Sequence, residues 1–310
     1  VHAASLRLKK DQERRLLAGH SWIYSNEVDA EATPLKGFEA GQPVEILSHS
    51  GRWVGWGYVN PHSLICARVV SHDRDLPLTA ALWTQRIRAA LSLRERLYAR
   101  PFYRLVFGES DGLPGLIVDR YGDLLAVQIT TAGMERARAE VIAALEQVVR
   151  PRSVVLRNDI ATRELEGLTQ GVETVLGDAS GDVELEEGVA RFIVSPMTGQ
   201  KTGWFYDQAE NRARLPRFGQ VRRVLDVCCY IGAWGVQAAV RGAAEVVCVD
   251  SSPAALERVG ENADRNGVVE RVSGLQGDAF DVLRVLREEG ARFDLVVLDP
   301  PAFIKRRKDE

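Results

Sequence analysis

The constraint that narrows the fold most lies in the last third of the chain, where short apolar runs end one after another in an aspartate. Residues 221–227 form an apolar run that continues Val224-Leu-Asp226-Val-Cys-Cys-Tyr230-Ile-Gly232-Ala-Trp-Gly235 into a helical pattern ending at Gly242. Residues 246–249 make the next run and stop at Asp250. Ser252 and Pro253 suit the N-cap and first turn of a helix that runs to Asn266 and closes at Gly267. A third strand is predicted over 272–276, before Gly277-Asp278-Ala-Phe280, and a fourth over 293–298, before Asp299-Pro-Pro-Ala-Phe303. Strands alternating with helices imply a parallel sheet covered on both faces. Ligands of such sheets sit beyond the carboxyl ends of the strands.

Those ends carry the candidate chemistry. A dinucleotide fingerprint wants glycine where this chain has Tyr230, so the pyrophosphate cradle is imperfect and a cofactor without phosphates fits better. Asp250 can accept from both hydroxyls of a ribose, and Asp278 from an adenine amino group. The prolines after Asp299 stiffen a loop in which Phe303 could stack on a planar substrate. A strand-end aspartate alone is commonly a cap; four in succession are a constellation.

The rest of the chain has a different texture. With 310 residues, more than one hydrophobic core is expected. Three domains are read: 1–75, 76–195 and 196–310. In the first, β-type runs at 43–47, 53–58 and 64–70 imply a small β-rich module. The second carries a helix over 80–98, a hairpin of 116–119 and 124–130 turning through residues 120–123, a helix over 134–149 and a strand at 154–156, an α+β pattern. Asp111 and Asp119 in it read as structural or solvated rather than functional.

Composition excludes several classes. No apolar run approaches the ~18 residues of a membrane helix, and the basic N-terminal residues precede no secretory core. Cys66, Cys228, Cys229 and Cys248 form no C-x-x-C pair or zinc set, so no metal is expected and a reduced, cytoplasmic location is read. A net charge of −3 leaves any nucleic-acid contact to local patches.

Lys201-Thr-Gly-Trp-Phe-Tyr-Asp-Gln208-x-x-Asn211-Arg212, the Val-Leu-Asp-Val-Cys-Cys-Tyr-Ile-Gly strand end and Asp-Pro-Pro-Ala-Phe-Ile-Lys-Arg-Arg-Lys-Asp together resemble one family. It is the large-subunit ribosomal RNA cytosine-5 methyltransferases with an N-terminal PUA domain, enzymes of the class I S-adenosylmethionine-dependent type. The resemblance implies a multidomain chain: a small PUA-like β-barrel that binds RNA, an α+β middle domain and an α/β Rossmann-like methyltransferase domain. It implies ribosomal RNA as partner and S-adenosylmethionine as cofactor. Asp226, Tyr230 and Gly232 would line its methionine end, Asp250 its ribose and Asp278 its adenine, with Gln208 in the cofactor wall. Asp299 and Phe303 would meet the target base.

The family's nucleophilic cysteine lies downstream of Asp-Pro-Pro, so it is expected beyond Glu310. The chain reads as stopping partway through its catalytic domain, and residues 1–310 alone are expected to fold poorly in the last third and not to turn over. Cys228 and Cys229 lie on the cofactor side and read as buried and inert; Cys66 and Cys248 read as core. Lys305, Arg306, Arg307 and Lys308 are either a solvated face or RNA phosphate contacts at the mouth of the site. Two alternatives stay open: methylation of an exocyclic amine such as guanine N2, which needs no cysteine, and a non-catalytic RNA-binding protein with a partial Rossmann domain.

Overall fold

Residues 4–301 are described by the computed structural model of the chain. It divides into two units, Val1–Gly181 with Pro196–Trp204, and Asp182–Ser195 with Phe205–Glu310.

The front of the first unit holds β1 (Ala4–Arg7), α1 (Glu13–Leu17), β2 (Trp22–Ile23), β3 (Gln42–Leu47), β4 (Trp53–Val59) and β5 (Ala67–Ser71). The strands form one sheet in the order β1-β3-β4-β5-β2 over a core that includes Leu6, Ile23, Val44, Ile46 and Cys66. The run expected at 64–70 becomes a strand only from Ala67. Leu64 sits in the preceding turn, where its carbonyl accepts from Ser25 N and its side chain is exposed.

The same unit continues through α2 (Ala80–Leu97), β6 (Phe102–Phe107), β7 (Leu116–Tyr121), β8 (Leu124–Ile129), α3 (Ala132–Arg136), α4 (Arg138–Val149), β9 (Ser153–Arg157) and β10 (Val172–Leu176). Their sheet order is β10-β9-β8-β7-β6. The hairpin turns through Gly122 and Asp123 alone, because Arg120 and Tyr121 still pair with Leu125 and Leu124. The helix expected over 134–149 starts earlier and breaks at Ala137. Thr131 caps it by accepting from Met134 N, and Gly133 lies against the Tyr58 ring, where a Cβ would meet ring carbons at 2.0 Å. Asp119 is wholly buried, gripping Arg104 through both oxygens and accepting from the Thr202 hydroxyl, while Asp111 holds Arg94 and Phe107 N. Both acids serve the fold.

The second unit begins with a hairpin, β11 (Val183–Glu187) and β12 (Ala190–Val194), within the stretch that the sequence pattern assigns to the middle domain. It is fastened here by the bidentate pair of Arg212 with Glu187, and Phe192 is fully buried. After α5 (Ala209–Arg212) come β13 (Arg223–Val227), α6 (Ala233–Val240), β14 (Glu245–Asp250), α7 (Pro253–Arg265), β15 (Val272–Gln276), α8 (Ala279–Glu288) and β16 (Leu295–Leu298). The sheet order is β15-β14-β13-β16, with every pair parallel. Side chains alternate across a strand. Leu225, Val227 and Val249 therefore meet α8 through Val282, while Val246, Cys248 and Asp226 face α6 at Gly235. The fourth strand begins at Leu295 rather than 293, because Asp294 instead caps the start of β13, accepting from Arg222 N and Arg223 N.

Candidate functional site

The carboxyl ends of β13, β14, β15 and β16 lie at one end of this sheet, and each carries an acid that the sequence singles out. They converge. Burial holds the Cys228 thiol above its ordinary pKa, and the charges of Asp250, Asp226, Asp299 and Asp278 add to the shift.

The turn after β13 has an unusual backbone. Cys228 and Tyr230 have φ of 59° and 50°, a left-handed conformation that costs non-glycine residues about 1–3 kcal/mol each. It persists because hydrogen bonds compensate: Cys229 N donates to Val249 O at 3.0 Å, and Tyr230 N donates to Asp250 Oδ2 at 2.9 Å. Gly232 follows at φ 79° and opens α6, and any Cβ there would press on Val259 at 3.1 Å. At Gly235 a Cβ would stand 2.6 Å from Cys248 Sγ, so this glycine serves the close approach of α6 to the sheet.

Asp226 lies under the turn rather than at its surface. It is fully buried; Oδ2 accepts from Gly235 N at 2.9 Å, and Oδ1 has no hydrogen-bond partner among the described residues. Burial pushes its carboxyl up to about 7 against the lowering effect of the Gly235 bond. Asp250 is half-buried, and besides Tyr230 N it accepts Ser252 N on Oδ1 at 3.0 Å. A carboxylate offers about four acceptor positions, so capacity remains for a ligand. Asp278 is exposed and caps α8, its Oδ1 taking both Phe280 N and Asp281 N.

Gln208 is brought to Asp299. Its Nε2 donates to Asp299 Oδ1 at 3.4 Å, and its Oε1 accepts from Asn211 Nδ2 at 2.8 Å. That second bond fixes which way the Gln208 amide faces, a role for Asn211 that sequence reasoning misses. The Gln-x-x-Asn spacing is its only local trace. Phe303 and the basic run of Lys305, Arg306, Arg307 and Lys308 lie outside the described residues.

The thiols are poor nucleophiles. Contact with Cys248 and then burial hold Cys229 far above the ordinary thiol range, and burial pushes Cys66, in the front sheet, up to about 12. Among the described residues no cluster of three or more His, Cys, Asp or Glu could hold a metal ion. A cluster of acids repels pyrophosphate and attracts a ligand that brings hydroxyls, amines or positive charge.

Comparison with known proteins agrees with this architecture. Residues 6–72 match the PUA-like domain family, and residues 203–307 match the family described as Conserved hypothetical protein 95. The crystal structure of SMU.776 complexed with SAH superposes with a TM-score of 0.84 at 20% identity, covering 98% of this chain and 78% of that one. The β module at the front is thus PUA-like and the α/β unit Rossmann-like. Ribosomal RNA large subunit methyltransferase I of Tolumonas auensis is 38% identical over 97% of this chain and 76% of its own length. The protein of that name from Aeromonas hydrophila is 36% identical over 98% and 78%. The chain belongs to the family of ribosomal RNA large subunit methyltransferase I.

Proposed function

We propose that the protein transfers a methyl group from S-adenosylmethionine to large-subunit ribosomal RNA, and that the accepting atom is C5 of a cytosine. The observation that carries the reading is the convergence of four strand-end acids around a tight turn that lacks a phosphate cradle. The relatives named as ribosomal RNA methyltransferases and the structural neighbour complexed with SAH support it from outside.

The residues present fit this cofactor. Asp250 would accept the ribose hydroxyls, Asp278 the adenine amino group, and the turn of Tyr230 and Gly232 would line the methionine end, with Asp226 supporting that turn from below. Bound S-adenosylmethionine supplies a methyl already activated on a sulfonium, so the protein's contribution is chiefly positioning. Asp299 would orient the target base, unstacked from the RNA, while Gln208 holds the Asp299 carboxylate in place. Phe303 would stack on that base. The PUA-like module and the run from Lys305 to Lys308 would engage the RNA backbone, and 1–75, 76–195 and 196–310 would serve as RNA-binding, middle and catalytic domains.

Cytosine-5 chemistry calls for a thiolate that adds to C6 and makes C5 nucleophilic. The settings of Cys66, Cys228, Cys229 and Cys248 disfavour the thiolate, so the reading needs another cysteine. The same observation favours a second reading, transfer to an exocyclic amine such as guanine N2, which needs no thiolate. RNA carrying tritium at cytosine C5 separates the two. Cytosine-5 transfer releases the tritium and continues in Cys229→Ser; methyl incorporation without release establishes the amine reading instead.

A further inference from the structure

Helix α7 carries Asn262, and Asn266 caps its C-terminus one turn on; both reach the open edge of β12. Ile193 N donates to Asn262 Oδ1 at 2.8 Å, and Arg191 N donates to Asn266 Oδ1 at 2.9 Å. Asn266 Nδ2 returns a bond to Arg191 O at 2.6 Å. The match is metric. Residues four apart on a helix rise about 6 Å, and residues two apart on a strand about 6.8 Å. The two amides thus act as the missing neighbour strand for the hairpin edge.

The asparagines differ in one respect. Asn262 is fully buried, and its Nδ2 donates to Ile231 O at 3.1 Å, inside the Tyr230-Ile231-Gly232 turn. Asn266 Nδ2 spends its other bond on Asn262 O at 2.7 Å, within its own helix. Val259, one turn before Asn262, packs against Gly232. Helix α7 therefore buttresses the turn by contact at Val259 and by a hydrogen bond at Asn262.

We propose that Asn262 is a positioning residue for the cofactor turn, orienting the Ile231 peptide and with it the left-handed Tyr230, whereas Asn266 only fastens the hairpin. This rests on the reading of that turn as the methionine end of the cofactor site. Ile231 stands between two residues that are both in the left-handed region, Tyr230 and Gly232. Without a donor on its carbonyl, the turn can relax toward ordinary dihedrals and lose its fit to the ligand.

The discriminating pair is Asn262→Asp and Asn266→Asp in the full-length protein. Each keeps a carboxyl oxygen for the strand N–H and replaces the amide donor. In Asn262→Asp the second oxygen faces the Ile231 carbonyl: ionised, it repels it; protonated, it can donate to it. Calorimetry with S-adenosylhomocysteine should show Asn262→Asp binding about tenfold more weakly than wild type near pH 8 and recovering toward it near pH 6. Asn266→Asp should bind as wild type at both pH values, whatever its thermal stability. Kinetically, the loss in Asn262→Asp should fall on the KM for S-adenosylmethionine rather than on kcat. If Asn262→Asp does not fold, Asn262→Ser, neutral and too short to bridge both partners, takes its place with the same weakening and no pH recovery. Equal weakening in the Asn266 variant, or wild-type affinity in the Asn262 variant, overturns the inference. A wild-type protein that does not bind S-adenosylhomocysteine overturns the cofactor reading itself, and this inference with it.

Discussion

The backbone N–H of Tyr230 donates to Asp250 Oδ2 at 2.9 Å, so the turn that ends β13 is tied to the acid that ends β14. One carboxylate thus holds the turn and, in the proposed reading, would also meet the ligand. Asp250→Ala removes both and should weaken S-adenosylhomocysteine binding by at least about tenfold. Asp250→Asn keeps an acceptor for Tyr230 N and should fall between it and wild type. Calorimetry on both variants checks the order.

Asp226 makes stability depend on pH. Its folded value of about 7 lies above the ordinary 3.8, because burial disfavours the charge. The folded state therefore holds the proton more tightly than the unfolded one. The stability this gives is fully present below the ordinary value and is lost as pH rises through the folded one. Asp226→Asn keeps an acceptor for Gly235 N but cannot ionise. The melting temperature of wild type should fall relative to this variant across that window; parallel profiles would mean that Asp226 is ionised throughout.

Gln208 should separate chemistry from cofactor binding. Its Nε2 faces Asp299, and Asn211 fixes its orientation. Gln208→Ala should lower kcat about tenfold or more, the effect of losing one hydrogen bond to a charged group, with S-adenosylhomocysteine affinity unchanged. An affinity loss with kcat intact would return Gln208 to the cofactor wall that the family resemblance implies.

Much of the second unit is legible in sequence because its signals are local. The apolar runs, the Ser252 cap and the closing Gly267 lie within a few residues of what they define, and the structure has α7 with Ser252 accepting from Ala255 N. The acids at 226, 250, 278 and 299 can be picked out because each belongs to its own strand end. What is not legible depends on distant partners. Gln208 meets Asp299 across 91 residues, and no periodicity encodes that pairing. The hairpin at 183–194 reads as any short β pair until Arg212 and α7 are in place. The packing of Gly133, in the short helix before the break at Ala137, on the Tyr58 ring is likewise a contact between distant segments. The left-handed Cys228 and Tyr230 contradict local preference outright, as residues at a functional turn often do.

The front module should contribute through charge. Lys10 and Arg14 are exposed, and Arg14 pairs at the surface with Asp11. Lys10→Glu with Arg14→Glu should weaken binding to ribosomal RNA and reduce the slope of log affinity against log salt by up to about 0.9 for each phosphate no longer neutralised. An unchanged slope would place the RNA-binding surface elsewhere on the chain.

The acid-lined strand ends should take S-adenosylmethionine rather than a dinucleotide. Calorimetric titration of the protein with S-adenosylmethionine and, separately, with NAD tests it most directly. The expected result is saturable one-to-one binding of S-adenosylmethionine, weakened at least about tenfold in Asp250→Ala, and no binding of NAD. Tight binding of NAD with none of S-adenosylmethionine would contradict it.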